Sequence, residues 1–163
     1  MGEVSRARQP ANRKIPNNVW HHVGMSVLHT HIGEWLGVPP PHSGRDVLDL
    51  VEHRLPTSAV DRLMALGVTK TEIGEVVIPW RTLQHRRARR EGLTIDESDR
   101  LLRVIRALSM TESVYATRAH SLDWLRRPNR HLGDRSPLSL VSTDTGIRMV
   151  EQLLGQIDEG MFI

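Results

Sequence analysis

Two helix-start signals flank a short basic segment of the chain. In each, a threonine is followed three residues later by a glutamate, at Thr69 and Glu72 and again at Thr94 and Glu97. Such a pair forms a capping box, in which each side chain satisfies a backbone amide at the start of a helix. Apolar residues follow both pairs at helical spacing. This region is therefore expected to consist of consecutive short helices.

The same helical pattern extends over most of the chain. Residues 47–55, 58–66 and 147–157 each carry an apolar stripe with a 3.6-residue period. Residues 19–36 carry a weaker stripe, which glycines interrupt and which ends before three consecutive prolines at 39–41. We find no convincing alternating strand pattern and no internal repeat. The sequence predicts an all-α fold.

Glycine and proline positions predict where several helices begin and end. Gly67, Gly92 and Gly160 are each expected to close the helix that precedes them. Pro79 stands where a first-turn proline belongs. The long helix that begins after Thr94 is expected to run past Tyr115.

Composition narrows the class of protein. The 163 residues, 39% of them hydrophobic, suffice for one ordinary domain or two small helical ones. The absence of cysteine excludes disulfides, thiolate zinc sites and thiol nucleophiles, and it fits a reducing cytoplasm. No apolar signal sequence and no long uncharged apolar run is present, so we expect neither export nor a membrane span. The predicted location is cytoplasmic.

The basic segment resembles the second helix of a helix-turn-helix. Residues 81–90 contain five arginines and no acid, and a short helix precedes them. In this motif glutamine can pair with adenine, and arginine with guanine or with phosphates. Alternatively, the arginines form a solvated helix face or pair with acids such as Asp96 and Asp99. The candidate DNA-binding residues are Arg81, Thr82, Gln84, His85, Arg86, Arg87, Arg89 and Arg90.

The chain finishes with three large apolar residues after the last helix. Side chains of this kind at a free end either fold back onto the domain or enter a partner's pocket, and both alternatives remain open. Neighbouring carboxylates add negative charge that could meet basic groups of a partner. The candidate partner-binding residues are Asp158, Glu159, Gly160, Met161, Phe162 and Ile163, with Arg126 and Arg127 as weaker candidates.

Two blocks of sequence carry a family resemblance. The first comprises residues 81–87, an arginine-Thr-Leu helix, and residues 93–103, with the pattern Leu-Thr-x-x-Glu-Ser-Asp-Arg-Leu. The second is Trp124-Leu-Arg-Arg-Pro-Asn129, followed by Leu132-Gly, Ser136-Pro-Leu, Thr145-Gly and residues 150–160. In this order the blocks resemble the antitoxins of RES–Xre toxin–antitoxin systems. Those proteins carry an Xre-type helix-turn-helix and an Xre/MbcA/ParS toxin-binding domain.

The resemblance implies a domain organisation and partners. It implies that residues 42–118 are an Xre-like helix-turn-helix domain and residues 119–163 the toxin-binding domain. Residues 1–41 lie outside the resemblance; because residues 1–18 are polar, basic and without periodicity, we expect an N-terminal arm that is partly disordered or has one helix. The partner would be a RES-domain toxin that consumes NAD, inhibited when the antitoxin occupies its active-site entrance. The C-terminal candidates would then bind the toxin, and the helix-turn-helix would bind operator DNA and repress the operon. Helix-turn-helix proteins usually bind as dimers, so we expect a homodimer and a larger assembly with the toxin.

Two other functions compete with this one. The chain could be a stand-alone helix-turn-helix regulator whose C-terminal residues only dimerise. It could also be a hydrolase using His21, His22, His29 and His31, although Glu34 is the only acid near them. Metal sites need three or four converging ligands, so we predict no metal, no cofactor and no catalytic residue.

Overall fold

The computed structural model describes the backbone of residues 17–161 and the side chains of residues 27–161. Apart from one isolated bridge, this part of the chain contains no strand, which confirms the all-α prediction. No helix within it is both long and apolar enough to span a membrane. The helices are α1 (Asn17–Leu36), α2 (Gly44–Glu52), α3 (Ser58–Ala65), α4 (Lys70–Val76), α5 (Trp80–Ala88), α6 (Ile95–Tyr115), α7 (Arg118–Arg126), α8 (Pro137–Leu140) and α9 (Asp144–Asp158), with a 3₁₀ turn at Arg130–Leu132.

The long helix α6 is the centre of the fold. It packs against α1, α2, α7 and α9, and its residues Leu101, Ile105 and Leu108 are fully buried. The buried apolar residues of all the helices form one connected core. Burial of this kind contributes roughly 25 cal/mol per Å² of apolar surface and is the main stabilising term. The N-terminal and C-terminal helices therefore share a core through α6.

The two predicted capping boxes are confirmed. The Thr69 hydroxyl accepts from the Glu72 amide at 3.3 Å, and the Glu72 carboxylate accepts from the Thr69 amide at 2.7 Å. Thr94 and Glu97 make the same two bonds at 3.2 and 2.7 Å. A third capping box, which the sequence analysis did not identify, starts α2 with Ser43 as its N-cap.

Several predicted helix ends need correction. Gly67 and Gly160 do take the left-handed conformation after α3 and α9, as predicted. Gly92 does not close α5, because Arg90 takes the left-handed position instead, at φ +56°. The Glu91 amide donates to the Arg86 carbonyl at 2.9 Å, which completes a Schellman motif around Arg90.

The other two corrections concern Pro79 and the end of α6. Pro79 is the N-cap of α5, with ψ at +134°, and not its first helical residue. The α6 helix stops at Tyr115 and does not run past it, because Ala116 adopts φ +59°. A left-handed residue cannot continue a right-handed helix.

The weak stripe before the prolines is the helix α1. Its residues Leu28, Ile32 and Leu36 are buried, and α1 packs against α3 and α6. Gly33 allows the proline segment to fold back onto the helix, because a Cβ there would lie 2.8 Å from the Pro40 Cα. Of residues 1–18, which the sequence predicts to be a mobile tail, 1–16 lie outside the described residues, whereas Asn17 and Asn18 begin α1.

Candidate nucleic-acid interface and C-terminal surface

Helices α4 and α5 form the predicted helix-turn-helix. The turn between them lacks glycine, and its residues Val77 and Ile78 are instead almost fully buried. Both of their amides donate to the Ile73 carbonyl at 3.0 Å. Core packing and these bonds hold the bend, so the turn does not need the conformational freedom of glycine.

One face of α5 is anchored in the protein and the other is exposed. Leu83 is fully buried, and the half-buried Trp80 ring lies 4.3 Å from the Lys70 ammonium of α4. This cation–π contact ties the start of α5 to the helix before it. The opposite face is exposed and carries Arg81, Thr82, Gln84, His85 and Arg89, with exposed Arg90 just after the helix.

Arg86 and Arg87 point towards the rest of the protein. Arg86 makes two contacts of 3.0 and 3.1 Å with the Glu97 carboxylate of α6. Arg87 reaches α3, where it contacts Asp61 at 2.7 Å. Their partners are thus not the alternatives Asp96 and Asp99; Asp99 pairs with Arg103 instead. Two of the eight candidate DNA-binding side chains are thus already engaged in holding α5 in place.

The charge available on the exposed face is smaller than the sequence suggests. Arg89 pairs with Glu91 at 2.9 Å. Within residues 27–161, neither Arg81 nor Arg90 makes an ion pair. These two guanidinium groups are therefore the ones with most freedom to meet phosphates or bases.

Helix α4 is held at its start by α7. Arg126 of α7 makes contacts of 2.6 and 3.0 Å with the two Glu72 oxygens, and it donates to the Gly67 carbonyl at 2.8 Å. Burial alone would raise the pKa of Glu72, but the bonds from Arg126 and Thr69 outweigh it and hold this pKa below its usual value. Arg127, the residue after α7, is exposed, and within residues 27–161 its ion pair is with Asp123 of α7.

The last helix, α9, is fastened to α6 and α8. Arg106 of α6 forms an ion pair with Glu151 of α9, and Arg103 donates to the Ser142 carbonyl at 2.7 Å. Gly146 lies so close to the end of α8 that an added Cβ would overlap the Leu140 carbonyl oxygen. These contacts make α9 a fixed base for the residues that follow it.

A Schellman motif ends α9. The Gly160 amide donates to the Ile157 carbonyl and the Met161 amide to the Gln156 carbonyl, both at 3.0 Å. The Met161 side chain is 56% exposed, and Asp158 and Glu159 beside it are exposed as well. The last two candidate residues, Phe162 and Ile163, lie outside the described residues.

The histidines do not form a metal site where the structure describes them. No three His, Cys, Asp or Glu side chains of residues 27–161 are grouped so that they could hold a metal ion. His31 bonds the Ser109 hydroxyl at 2.8 Å and stacks on Trp35. Burial lowers the pKa of His31 below 6.5, although Glu112 and Glu34 act in the opposite direction. The side chains of His21 and His22 lie outside the described part.

Two family models match the chain, in the order that the fold suggests. Residues 46–106 match the antitoxin Xre-like helix-turn-helix domain, and residues 110–160 match the antitoxin Xre/MbcA/ParS C-terminal toxin-binding domain. Together the matches cover more than two thirds of the chain. The chain belongs to the Xre antitoxin family.

Three curated relatives are named antitoxin Xre. The chain is 35% identical over 99 residues to antitoxin Xre of Pseudomonas putida. This aligned segment covers 61% of this chain and 62% of that protein. It is 26% identical over 160 residues to antitoxin Xre of Yersinia enterocolitica, covering 96% and 99% of the two chains. Antitoxin Xre of Photorhabdus laumondii is 25% identical over 159 residues, covering 96% and 98%.

The described structure explains several signature residues of this Xre antitoxin. Glu97 and Ser98 of the first block bond Arg86 and the Leu55 amide, respectively. Gly146 and Glu151 of the second block make the close approach to α8 and the ion pair with α6. These roles are structural, so the signature identifies the fold of the antitoxin more directly than its binding surfaces.

The residues that join the two modules of the antitoxin were missed by sequence reasoning. The sequence predicts a toxin contact for Arg126, whereas the structure places it against Glu72 of the helix-turn-helix. The two residues are 54 positions apart, so no local spacing rule could have paired them. The first family match ends at residue 106 and the second begins at residue 110, both within α6. The predicted boundary between the two domains, between residues 118 and 119, stays a prediction.

Proposed function

We propose that this antitoxin inhibits a RES-domain toxin that consumes NAD by placing its C-terminal tail in the entrance of the toxin's active site. In the same proposal the exposed face of α5 binds operator DNA and represses the operon. The observation that carries the inhibitory role is Met161, which leaves a firmly anchored helix with its apolar side chain mostly in water. At the end of a helix that is held in place, this side chain is available to enter a partner's pocket.

The charge and rigidity around Met161 support this role. Asp158 and Glu159 give the end of α9 a negative charge, which is complementary to basic groups that bind a dinucleotide. The ion pair between Arg106 and Glu151 and the Gly146 contact hold α9 before any partner arrives. A preorganised segment loses less conformational entropy on binding, which favours inhibition by a short tail.

The exposed face of α5 supports the DNA-binding role. In a helix-turn-helix the exposed residues near the start of the second helix lie closest to the base edges, which here are Arg81, Thr82, Gln84 and His85. Gln84 and Arg81 have the groups that recognise adenine and guanine in the major groove. Because such motifs bind paired half-sites, we propose a homodimer on DNA and a larger complex with the toxin.

A reciprocal experiment tests both roles. The first variant ends at Gly160 and lacks the apolar tail; the second carries Arg81→Ala and Arg90→Ala. Arg86 and Arg87 are less suitable, because their replacement breaks the contacts with Glu97 and Asp61 that hold α5. Each purified variant is mixed with the protein encoded by the neighbouring gene, and NAD loss is followed. Its affinity for the double-stranded fragment upstream of its own reading frame is measured at several salt concentrations.

We expect each variant to lose one function and keep the other. The truncated chain should bind the DNA fragment normally and fail to stop NAD loss. The doubly substituted chain should still stop NAD loss, while its DNA affinity and the salt dependence of that affinity both fall. If the full-length chain neither binds the neighbouring protein nor stops NAD loss, the inhibitory role is wrong and a DNA-binding regulator remains.

A further inference from the structure

The contact between Arg126 and Glu72 crosses between the two functional modules. Arg126 lies in the segment matched by the toxin-binding domain, and Glu72 lies in the first helix of the helix-turn-helix. The guanidinium approaches both carboxylate oxygens, at 2.6 and 3.0 Å. This two-point geometry fixes the direction of both side chains, which a single contact does not.

The contact acts on the point where α4 begins. The Glu72 oxygen that lies 3.0 Å from Arg126 also accepts the capping bond from the Thr69 amide at 2.7 Å. The same guanidinium group holds the Gly67 carbonyl, at the turn between α3 and α4. Gly67 also lies against Leu122 of α7, since a Cβ there would come within 2.7 Å of the Leu122 Cδ1. One arginine therefore fixes both the turn before α4 and the cap of α4.

The position of α4 determines the position of the DNA-binding helix. The two helices are joined by only three residues, two of which are buried in the core, and Lys70 at the start of α4 lies on the Trp80 ring of α5. A shift of the α4 cap therefore moves α5. Contacts to base edges depend on placement within a fraction of an ångström, so such a shift lowers affinity without removing any group that touches DNA.

We propose that Arg126 is a positioning residue for DNA binding, by which the toxin-binding domain holds the helix-turn-helix in its DNA-binding orientation. The proposal rests on the DNA-binding half of the proposed function. It also gives Arg126 a different task from the toxin contact that the sequence suggested, because the guanidinium is occupied by Glu72 and the Gly67 carbonyl.

The chain offers a matched control for this residue. Arg127 is the next residue of the same segment, and its ion pair is with Asp123 of α7. We compare Arg126→Gln with Arg127→Gln. A second variant, Glu72→Gln, keeps a residue that can complete a capping box but removes the charge that binds Arg126. All measurements are made well below the unfolding temperature of each variant, so that only folded protein is compared.

Three measurements separate a positioning role from the alternatives. The first is amide hydrogen exchange of residues 70–88, which reports how firmly the helix-turn-helix is held. The second is the affinity for the fragment upstream of the chain's own reading frame, as a function of salt. The third is the affinity of Arg126→Gln for the protein encoded by the neighbouring gene.

We expect Arg126→Gln and Glu72→Gln each to speed exchange in residues 70–88 and to weaken DNA binding by about fivefold. The salt slope should not change, because Arg126 does not touch phosphate. The double variant should be no weaker than Arg126→Gln alone, since that substitution already removes the contact with Glu72. Arg127→Gln should leave exchange and DNA affinity as they are. If Arg126→Gln does not fold, the exchange rate and DNA affinity of Glu72→Gln decide the matter.

Two results would overturn the proposal. One is exchange and DNA affinity in Arg126→Gln that match those of Arg127→Gln. The other is a loss of toxin affinity with DNA affinity intact, which would make Arg126 a toxin contact. If the unmodified chain does not bind the fragment, the proposed repressor function fails. The positioning role of Arg126 can still be tested in that case, because unchanged hydrogen exchange in Arg126→Gln would reject it independently.

Discussion

Replacing Arg90 by glycine should stabilise the antitoxin and weaken its binding to DNA. Arg90 stands in the left-handed region at φ +56°, directly after α5. That conformation costs a residue with a Cβ roughly 1 to 2 kcal/mol. Glycine avoids this cost. However, its greater conformational freedom in the unfolded chain lowers the free energy of unfolding by about 0.4 to 1 kcal/mol. Because the Arg90 side chain makes no ion pair within residues 27–161, a net gain of about 0.5 to 1 kcal/mol remains.

Thermal unfolding and DNA titration measure the two effects separately. A gain of about 1 kcal/mol raises the unfolding midpoint of a chain of this size by about 2 to 4 °C. Loss of one phosphate contact lowers the slope of log affinity against log salt by about 1 for each bound chain. The expected variant has a higher unfolding midpoint and a lower DNA affinity. A variant that bound DNA poorly because it was partly unfolded would instead have a lower midpoint.

Two control variants divide the effect into its parts. Ala116→Gly relieves the same left-handed strain at the end of α6, at φ +59°, without changing charge. It should raise the midpoint and leave the salt slope unchanged. Arg90→Lys keeps both the charge and the strain, so it should change neither quantity much. A lower midpoint for Arg90→Gly would refute the strain argument, and an unchanged slope would show that Arg90 does not contact phosphate.

Two further predictions concern the last helix and α1. Gly146→Ala should destabilise the protein by about 1 to 3 kcal/mol in urea unfolding, because its Cβ overlaps the Leu140 carbonyl; Gly155→Ala, where the Cβ meets open space, should not destabilise it. His31 has a lowered pKa in the fold, so its contribution to stability is complete above pH 6.5 and is lost as pH falls below that value. The unfolding midpoint of His31→Gln should therefore fall less than that of the unmodified chain on acidification, and equal falls would contradict this.

Local signals predicted the helices well because their physics is local. A capping box needs only residues three apart, so Thr69 and Thr94 marked the starts of α4 and α6 correctly. The errors also have local causes. Gly92 was expected to end α5 because glycine takes left-handed angles at little cost. In the structure Arg90 takes that angle two residues earlier, where the Glu91 amide can reach the Arg86 carbonyl.

The candidate site was less accessible to sequence reasoning, because it depends on contacts between distant residues. Five arginines in residues 81–90 predicted a basic helix, but the sequence could not tell that Arg86 and Arg87 face Glu97 and Asp61. A charge count gives the composition of a helix face, whereas the orientation of that face follows from tertiary packing. Leu83, fully buried on α5, was the apolar anchor from which the inward side could be derived.

The two capping boxes that predicted the helix starts also carry the tertiary contacts of the helix-turn-helix. In each box the glutamate uses one oxygen for the cap amide, and both of its oxygens face an arginine from another helix. Glu72 meets Arg126 of α7, and Glu97 meets Arg86 of α5. Their side chains are only 16% and 11% exposed, so each carboxylate needs such a partner to offset the loss of water.

The box at Ser43 shows the contrast. There the Asp46 carboxylate accepts the His42 and Ser43 amides and forms no arginine pair within residues 27–161. A capping box on the surface thus only starts its helix. A capping-box glutamate whose side chain is largely withdrawn from water also pairs with an arginine, which comes from α5 for Glu97 and from α7 for Glu72. The two glutamates thus connect α5 to α6 within the helix-turn-helix domain, and α4 to α7 of the C-terminal domain.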